Sequence, residues 1–173
     1  MNSKKSTEKM VKASVIAALY AVLMFIGPSF EALQFRVSEI LTILPAFDPS
    51  AIPGLTLGCV VGNIHGAFTN QTPGYDIIVG SFATFVSAIL TRKFRHIKTF
   101  GLPLAATLPP VIINAIVVGT ELMIRDCGFN WVKNIWLKNV YLLAFSQFVL
   151  CTVGGTLLAV LLEKTLYRNQ NDE

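Results

Sequence analysis

Apolar blocks of about 16–22 residues recur along this chain, each closed by a short polar or Pro/Gly break. A helix of that length spans the hydrocarbon core of a bilayer. Charged side chains make up only 14% of the 173 residues, against about 25% in a soluble domain. This excludes a disordered tail, a coiled coil and an ordinary cytosolic enzyme. The expectation is an all-α integral membrane protein, folded as one compact transmembrane domain over residues 1–173 with no room for a second.

Six spans are predicted, at about 11–30, 34–47, 52–68, 75–90, 100–123 and 136–162. The second is short and carries charges. Pro28, Asp48-Pro49, Pro53-Gly54, Pro73-Gly74 and Cys127-Gly128 punctuate them. No internal repeat is evident, which disfavours an inverted-repeat carrier. The basic start, Met1 to Lys12, runs into an apolar block without a small-residue cleavage site and reads as a retained first helix. With six spans, one side collects Lys4, Lys5, Lys9, Lys12, Arg92, Lys93, Arg95, Lys98, Lys164 and Arg168, and the other only Arg36, Arg125, Lys133 and Lys138. The positive-inside rule then puts both termini in the cytoplasm. The net charge of +4 therefore reads as topology and not as a nucleic-acid surface, because the basic residues do not interleave with aromatics on a polar face.

Polar side chains within apolar spans are costly and mark function by default. Six stand out: Arg36, Glu39, Asn63, Asp76, Asn114 and Glu121. All fall toward the non-cytoplasmic ends of their spans. Glu39, Asn63 and Asn114 lie roughly 7–8 Å below the outer rim. The inner half offers hydroxyls, Gln147 and small residues. The pattern predicts a polar pocket open to the outside. Plainer roles compete. Arg36 and Glu39, three apart, can neutralise each other. Asn63 and Asn114 can join helices. Asp76 can cap the fourth span, and Glu121 can be a solvated rim residue.

Gly54, Gly58, Gly62 and Gly66 share one face of the third span and predict close helix packing. Ala13, Ala17 and Ala21 repeat at the same interval on the first, either for packing or for docking a partner. Pro109-Pro110 predicts a kink in the fifth span that strips the carbonyls of Ala105 and Ala106 of their donors. Phe129, Trp131, Trp136 and Tyr141 form an interfacial belt or a lid that stacks on a flat ligand. No GxxxxGK[ST] loop is present, so ATP hydrolysis cannot be coupled within this chain. Two isolated histidines and three isolated cysteines give no metal-ligand set and no disulfide framework. No enzyme, cofactor or metal site is expected.

The stretch LQFRVSEILTILPAFDPSAIPGLTLGCVVGNIHG, from Leu33 to Gly66, resembles the QueT family of queuosine-precursor transporters. ASVIAALYAVL before it and YDIIVGSFATFVSAILT after it fit the same family. Such proteins are the substrate-binding S components of energy-coupling-factor (ECF) transporters. The resemblance implies a six-helix bundle in a bacterial plasma membrane, both termini cytoplasmic, that captures a micronutrient from outside. A T component and two ATPase subunits would supply the energy, with Ala13, Ala17 and Ala21 docking on the T component. The implied ligands are 7-deazaguanines: preQ1, preQ0 and queuine. Glu39 or Asp76 would take their donor edge, Arg36, Asn63 or Asn114 the carbonyl, and an aromatic such as Trp131 the ring face. Glu121 would meet the aminomethyl group of preQ1. An S component for another vitamin, a stand-alone oligomeric carrier and a small embedded enzyme are the alternatives.

Overall fold

The computed structural model describes residues 2–26, 35–69, 72–99, 101–128 and 131–171. Every regular element among them is helical. The α-helices are α1 (Asn2–Ile26), α2 (Ala51–Phe68), α3 (Asp76–Phe94), α4 (Leu108–Cys127), α5 (Lys133–Gln147) and α6 (Gly155–Asn171). A 3₁₀ helix, Val37–Ala46, lies between α1 and α2, and a shorter one, Leu104–Thr107, leads into α4. A π-helical segment, Phe148–Gly154, joins α5 to α6 without a break. Residues 27–30 of the first predicted span, Gln34 at the head of the second, Phe100 and Phe129 lie outside the described residues.

Among the described residues, four helical stretches are long and apolar enough to cross a membrane: Ala51–Phe68, Asp76–Phe94, Leu104–Cys127 and Lys133–Thr165. Their polarity is inverted relative to a soluble protein. On α3 the buried face holds Asp76, Ser81, Thr84, Ser87 and Thr91, while Ile78, Phe82 and Phe85 are exposed. Water would favour the opposite arrangement. Lipid removes the hydrophobic drive between helices, so small and polar residues take the contacts and large apolar ones face outward. The molecule is thus an all-helical protein built for a membrane.

The glycine stripe performs the close packing expected of it. A β-carbon at Gly54 would stand 2.8 Å from the Ala13 carbonyl, and one at Gly58 would stand 2.8 Å from both the Ala17 carbonyl and Tyr20 Cβ. The alanine stripe therefore faces α2 in part. Ala13 and Ala17 are half-buried and Ala21 is buried.

Two local expectations are corrected. The second span is a ten-residue 3₁₀ helix, not an α-helix. Pro45 sits inside it, where it cannot donate an i→i−4 bond, and the Thr42 hydroxyl donates back to the Glu39 carbonyl at 2.6 Å. Its end is held by Arg92, which donates to the carbonyls of Pro45 (3.1 Å) and Ala46 (3.2 Å). Because this segment packs against α1, α2, α3, α6 and the π segment, it forms the centre of the bundle. The second correction concerns Pro109-Pro110. They open α4 instead of kinking it, since proline is tolerated in a helix's first turn, where no donor is needed. The carbonyls expected to be stranded are satisfied: Ala105 by the Leu108 N–H, and Ala106 by the Thr91 hydroxyl at 3.0 Å.

Candidate functional site

The 3₁₀ helix presents Glu39 to the bundle interior, 4% exposed. Its two carboxylate oxygens are held separately. Tyr20 Oη, from α1, donates to Oε1 at 2.9 Å, and Asn114 Nδ2, from α4, donates to Oε2 at 3.1 Å. Asn114 also donates to Gln147 Oε1 at 3.3 Å, and Cys151 Sγ donates to the same oxygen at 3.3 Å. This chain ties α1, the 3₁₀ helix, α4, α5 and the π segment together. Both oxygens of Glu39 accept, which is the pattern of a carboxylate.

A second cluster adjoins it. Arg36 Nη2 lies 3.6 Å from Asp76 Oδ2. Arg36 thus pairs across the bundle with Asp76 instead of along the chain with Glu39. Asn63 Nδ2 donates to the Asp76 carbonyl at 2.9 Å and to Cys59 Sγ at 3.4 Å. The Thr84 hydroxyl lies 3.3 Å from the same sulfur. Gly80 leaves room for this: a β-carbon there would collide with Asp76 Oδ1. Asp76 is the first residue of α3, directly after the N-cap residue Tyr75. Glu121 stands beside Asp76 and is 7% exposed, not solvated.

Two small cavities lie between these groups. The first, about 20 Å³, is lined by Arg36, Glu39, Asp76, Asn114, Gln147 and neighbours including Cys59 and Gly80. The second, about 10 Å³, is lined by Arg36, Thr72, Asp76, Glu121, Arg125 and their neighbours. The first has room for about one water, so a ligand of any size requires the lining to part.

The predicted residues converge, with one exception. Arg36, Glu39, Asp76 and Asn114 line the first cavity, Glu121 the second, and Asn63 braces Asp76. Trp131 stays outside both. It is 61% exposed and its ring lies 5.3 Å from that of Trp136, whose Nε1 donates to Thr120 at 3.0 Å.

A family model described as QueT transporter matches residues 10–164. The chain belongs to the QueT transporter family. A curated relative, the queuosine precursor transporter QueT of Lactococcus lactis subsp. cremoris (strain MG1363), is 34% identical over 101 residues. That match covers 54% of this chain and 57% of the relative, so the chain spans little more than half of the relative's length. No solved structure matches the chain. Family membership makes this a membrane protein of a transporter family.

Several residues that line the first cavity or bond to its lining do not stand out in the sequence. Tyr20 lies within an apolar helix and looks like a core aromatic. Gln147 falls in what the span count made the inner half, yet it bonds to Asn114. Cys59, Gly80 and Thr84 carry no charge to draw attention. Only Tyr20 had an available signal: a phenol placed mid-span needs a buried acceptor.

Proposed function

We propose that this chain is the membrane-embedded, substrate-binding S component for uptake of queuosine precursors, the 7-deazaguanines preQ1, preQ0 and queuine. In this reading six helical stretches cross a bacterial plasma membrane with both termini in the cytoplasm. Ten basic residues against four support that orientation. Energy comes from a separate ECF module of a T component and two ATPase subunits, since this chain carries no phosphate-binding loop.

The observation that carries the reading is the fixed carboxylate of Glu39, facing a cavity beside Arg36. A guanine-like edge offers two adjacent N–H donors and a carbonyl. A carboxylate accepts the donors through two oxygens, and a guanidinium or amide donates to the carbonyl. Tyr20 and Asn114 take one lone pair from each Glu39 oxygen and leave the others for the ligand. Asn114 or Arg36 then serves the carbonyl.

Titration of the purified protein with preQ1, preQ0, queuine, guanine and riboflavin tests this. Binding of a deazaguanine that weakens on the order of 10–100-fold in Glu39→Gln supports it. Unchanged affinity in Glu39→Gln removes Glu39 from the scheme, and binding of riboflavin alone overturns the substrate. Co-purification with a T component and ATPases tests the energising partners.

A further inference from the structure

We propose that Gln147 is a specificity-determining residue of the first cavity, donating to the ring nitrogen that lies beside the 2-amino group of a 7-deazaguanine. The proposal rests on the deazaguanine reading above and assigns an atom of the ligand that neither Glu39 nor Arg36 reads.

The direction of the Gln147 amide is set by its neighbours. Glu39, held as a carboxylate, accepts from Asn114 at 3.1 Å, so the Asn114 atom facing it is the NH2 group. The same nitrogen lies 3.3 Å from the Gln147 side chain, and the Gln147 atom it meets must therefore be the oxygen. Cys151 Sγ donates to that oxygen as well, at 3.3 Å. Two donors fill the two lone pairs of Oε1. Nε2 is left over: among the described residues its two N–H groups donate to no partner. Gln147 is nevertheless 4% exposed, and it lines the first cavity. A buried donor without an acceptor is costly, and a ligand seated in the cavity can supply one.

The neighbouring donors are already committed. Both N–H groups of Asn114 are spent, one on Glu39 and one on Gln147, which leaves Arg36 for the ligand carbonyl. Along the pairing edge of a 7-deazaguanine the order is carbonyl, ring N–H, amino group, ring nitrogen. With the two central donors on the Glu39 oxygens, the carbonyl and the ring nitrogen fall on opposite flanks of the carboxylate. Arg36 is held beside Asp76 at the head of α3. Gln147 ends α5 and is tied through Asn114 to the Oε2 side of Glu39. One flank thus has a guanidinium donor and the other an amide donor. The amide also discriminates: a base with C–H at this position leaves Nε2 unmet, and one with N–H sets donor against donor.

The test measures binding of 7-aminomethyl-7-deazaguanine, and of its analogue with C–H in place of that ring nitrogen, by calorimetry on the full-length purified protein. The native protein should bind the parent compound on the order of 10-fold more tightly, the scale of one hydrogen bond left unmade at a buried donor. In Gln147→Met the parent compound weakens and the preference collapses toward unity. A role confined to holding Asn114 in place would weaken both compounds equally and keep the preference, and that outcome overturns the proposal. Equal affinity of the native protein for the two compounds also overturns it and leaves the deazaguanine reading standing. Failure of the native protein to bind either compound overturns the reading and the proposal together. Should Gln147→Met fail to fold, the native comparison alone decides.

Discussion

Replacing Tyr20 with Phe removes one oxygen and nothing else. The ring keeps its fully buried place among Leu41, Leu55, Cys59 and Ala88, so no cavity opens. What disappears is the 2.9 Å donation to Glu39 Oε1. A hydrogen bond to a charged group contributes about 1.5–3 kcal/mol, and that is the expected loss in unfolding free energy. For a chain of this size it lowers Tm by about 2–4 °C per kcal/mol. The sign of the effect depends on Glu39. In a Glu39→Met background the Tyr20 hydroxyl has lost its acceptor and lies stranded in the core. There Tyr20→Phe removes an unsatisfied group, so it is neutral or stabilising by up to about 3 kcal/mol. Unfolding in detergent micelles, followed by circular dichroism for the native protein, both single variants and the double variant, gives the coupling directly. A Tyr20→Phe cost of the same size and sign in both backgrounds would refute the network as the bond that fixes Glu39.

Two further outcomes follow from packing and from charge at the bundle's edge. Gly58→Val drives a branched side chain into the Ala17 carbonyl and Tyr20 Cβ, each 2.8 Å from the new β-carbon. The expected cost is about 1–3 kcal/mol of overpacking with weaker ligand binding, while Val61→Leu on the exposed side of the same helix leaves both unchanged; unfolding and titration of the two variants check this. Asp48, between the 3₁₀ helix and α2, is pushed up by partial burial, but the Ser50 N–H at 2.7 Å and Lys12 at 3.5 Å outweigh this and hold it below the ordinary carboxylate value. A depressed carboxyl stabilises above its unfolded pKa of about 3.9 and loses that stability as pH falls through the folded value. Asp48→Asn should therefore flatten the acid limb of a Tm-against-pH curve below about pH 4, and an unchanged limb would count against the contact.

Much of the site was legible because the membrane makes polar residues conspicuous. Arg36, Glu39, Asp76, Asn114 and Glu121 are costly anywhere in an apolar span, so their mere presence marks them. Their partners were not legible. A spacing of three suggested that Arg36 would pair with Glu39, but that inference assumes helical geometry. Arg36 precedes the 3₁₀ helix in an extended backbone conformation (φ −95°, ψ 108°) and turns toward Asp76. Pro109-Pro110 misled for a related reason. The sequence placed them mid-span, whereas a 3₁₀ turn at Leu104–Thr107 delays the start of α4 and makes them first-turn residues. The glycine stripe was read correctly because its message is steric and local. Gln147 was missed because its depth along a long helix says nothing about which neighbour it faces.

In lipid the helices gain little from burying apolar surface against one another, so cohesion falls to close packing and polar pairs. Here the polar pairs that join α1, the 3₁₀ helix, α4 and α5 run through residues that line the first cavity, Glu39, Asn114 and Gln147: Tyr20 to Glu39, Glu39 to Asn114, Asn114 to Gln147. On the proposed reading, ligand recognition and bundle cohesion draw on one network. A ligand that completes it binds the folded bundle alone and adds about 2.7 kcal/mol of stability at one hundred times its Kd. Asn114→Ala removes donors to two acceptors at once, so it should lower the ligand-free Tm and also shrink the ligand-induced rise, both read from the same melting curves. A variant that lowered the first and left the second at full size would separate the two roles and show that Asn114 holds the helices together without touching the ligand.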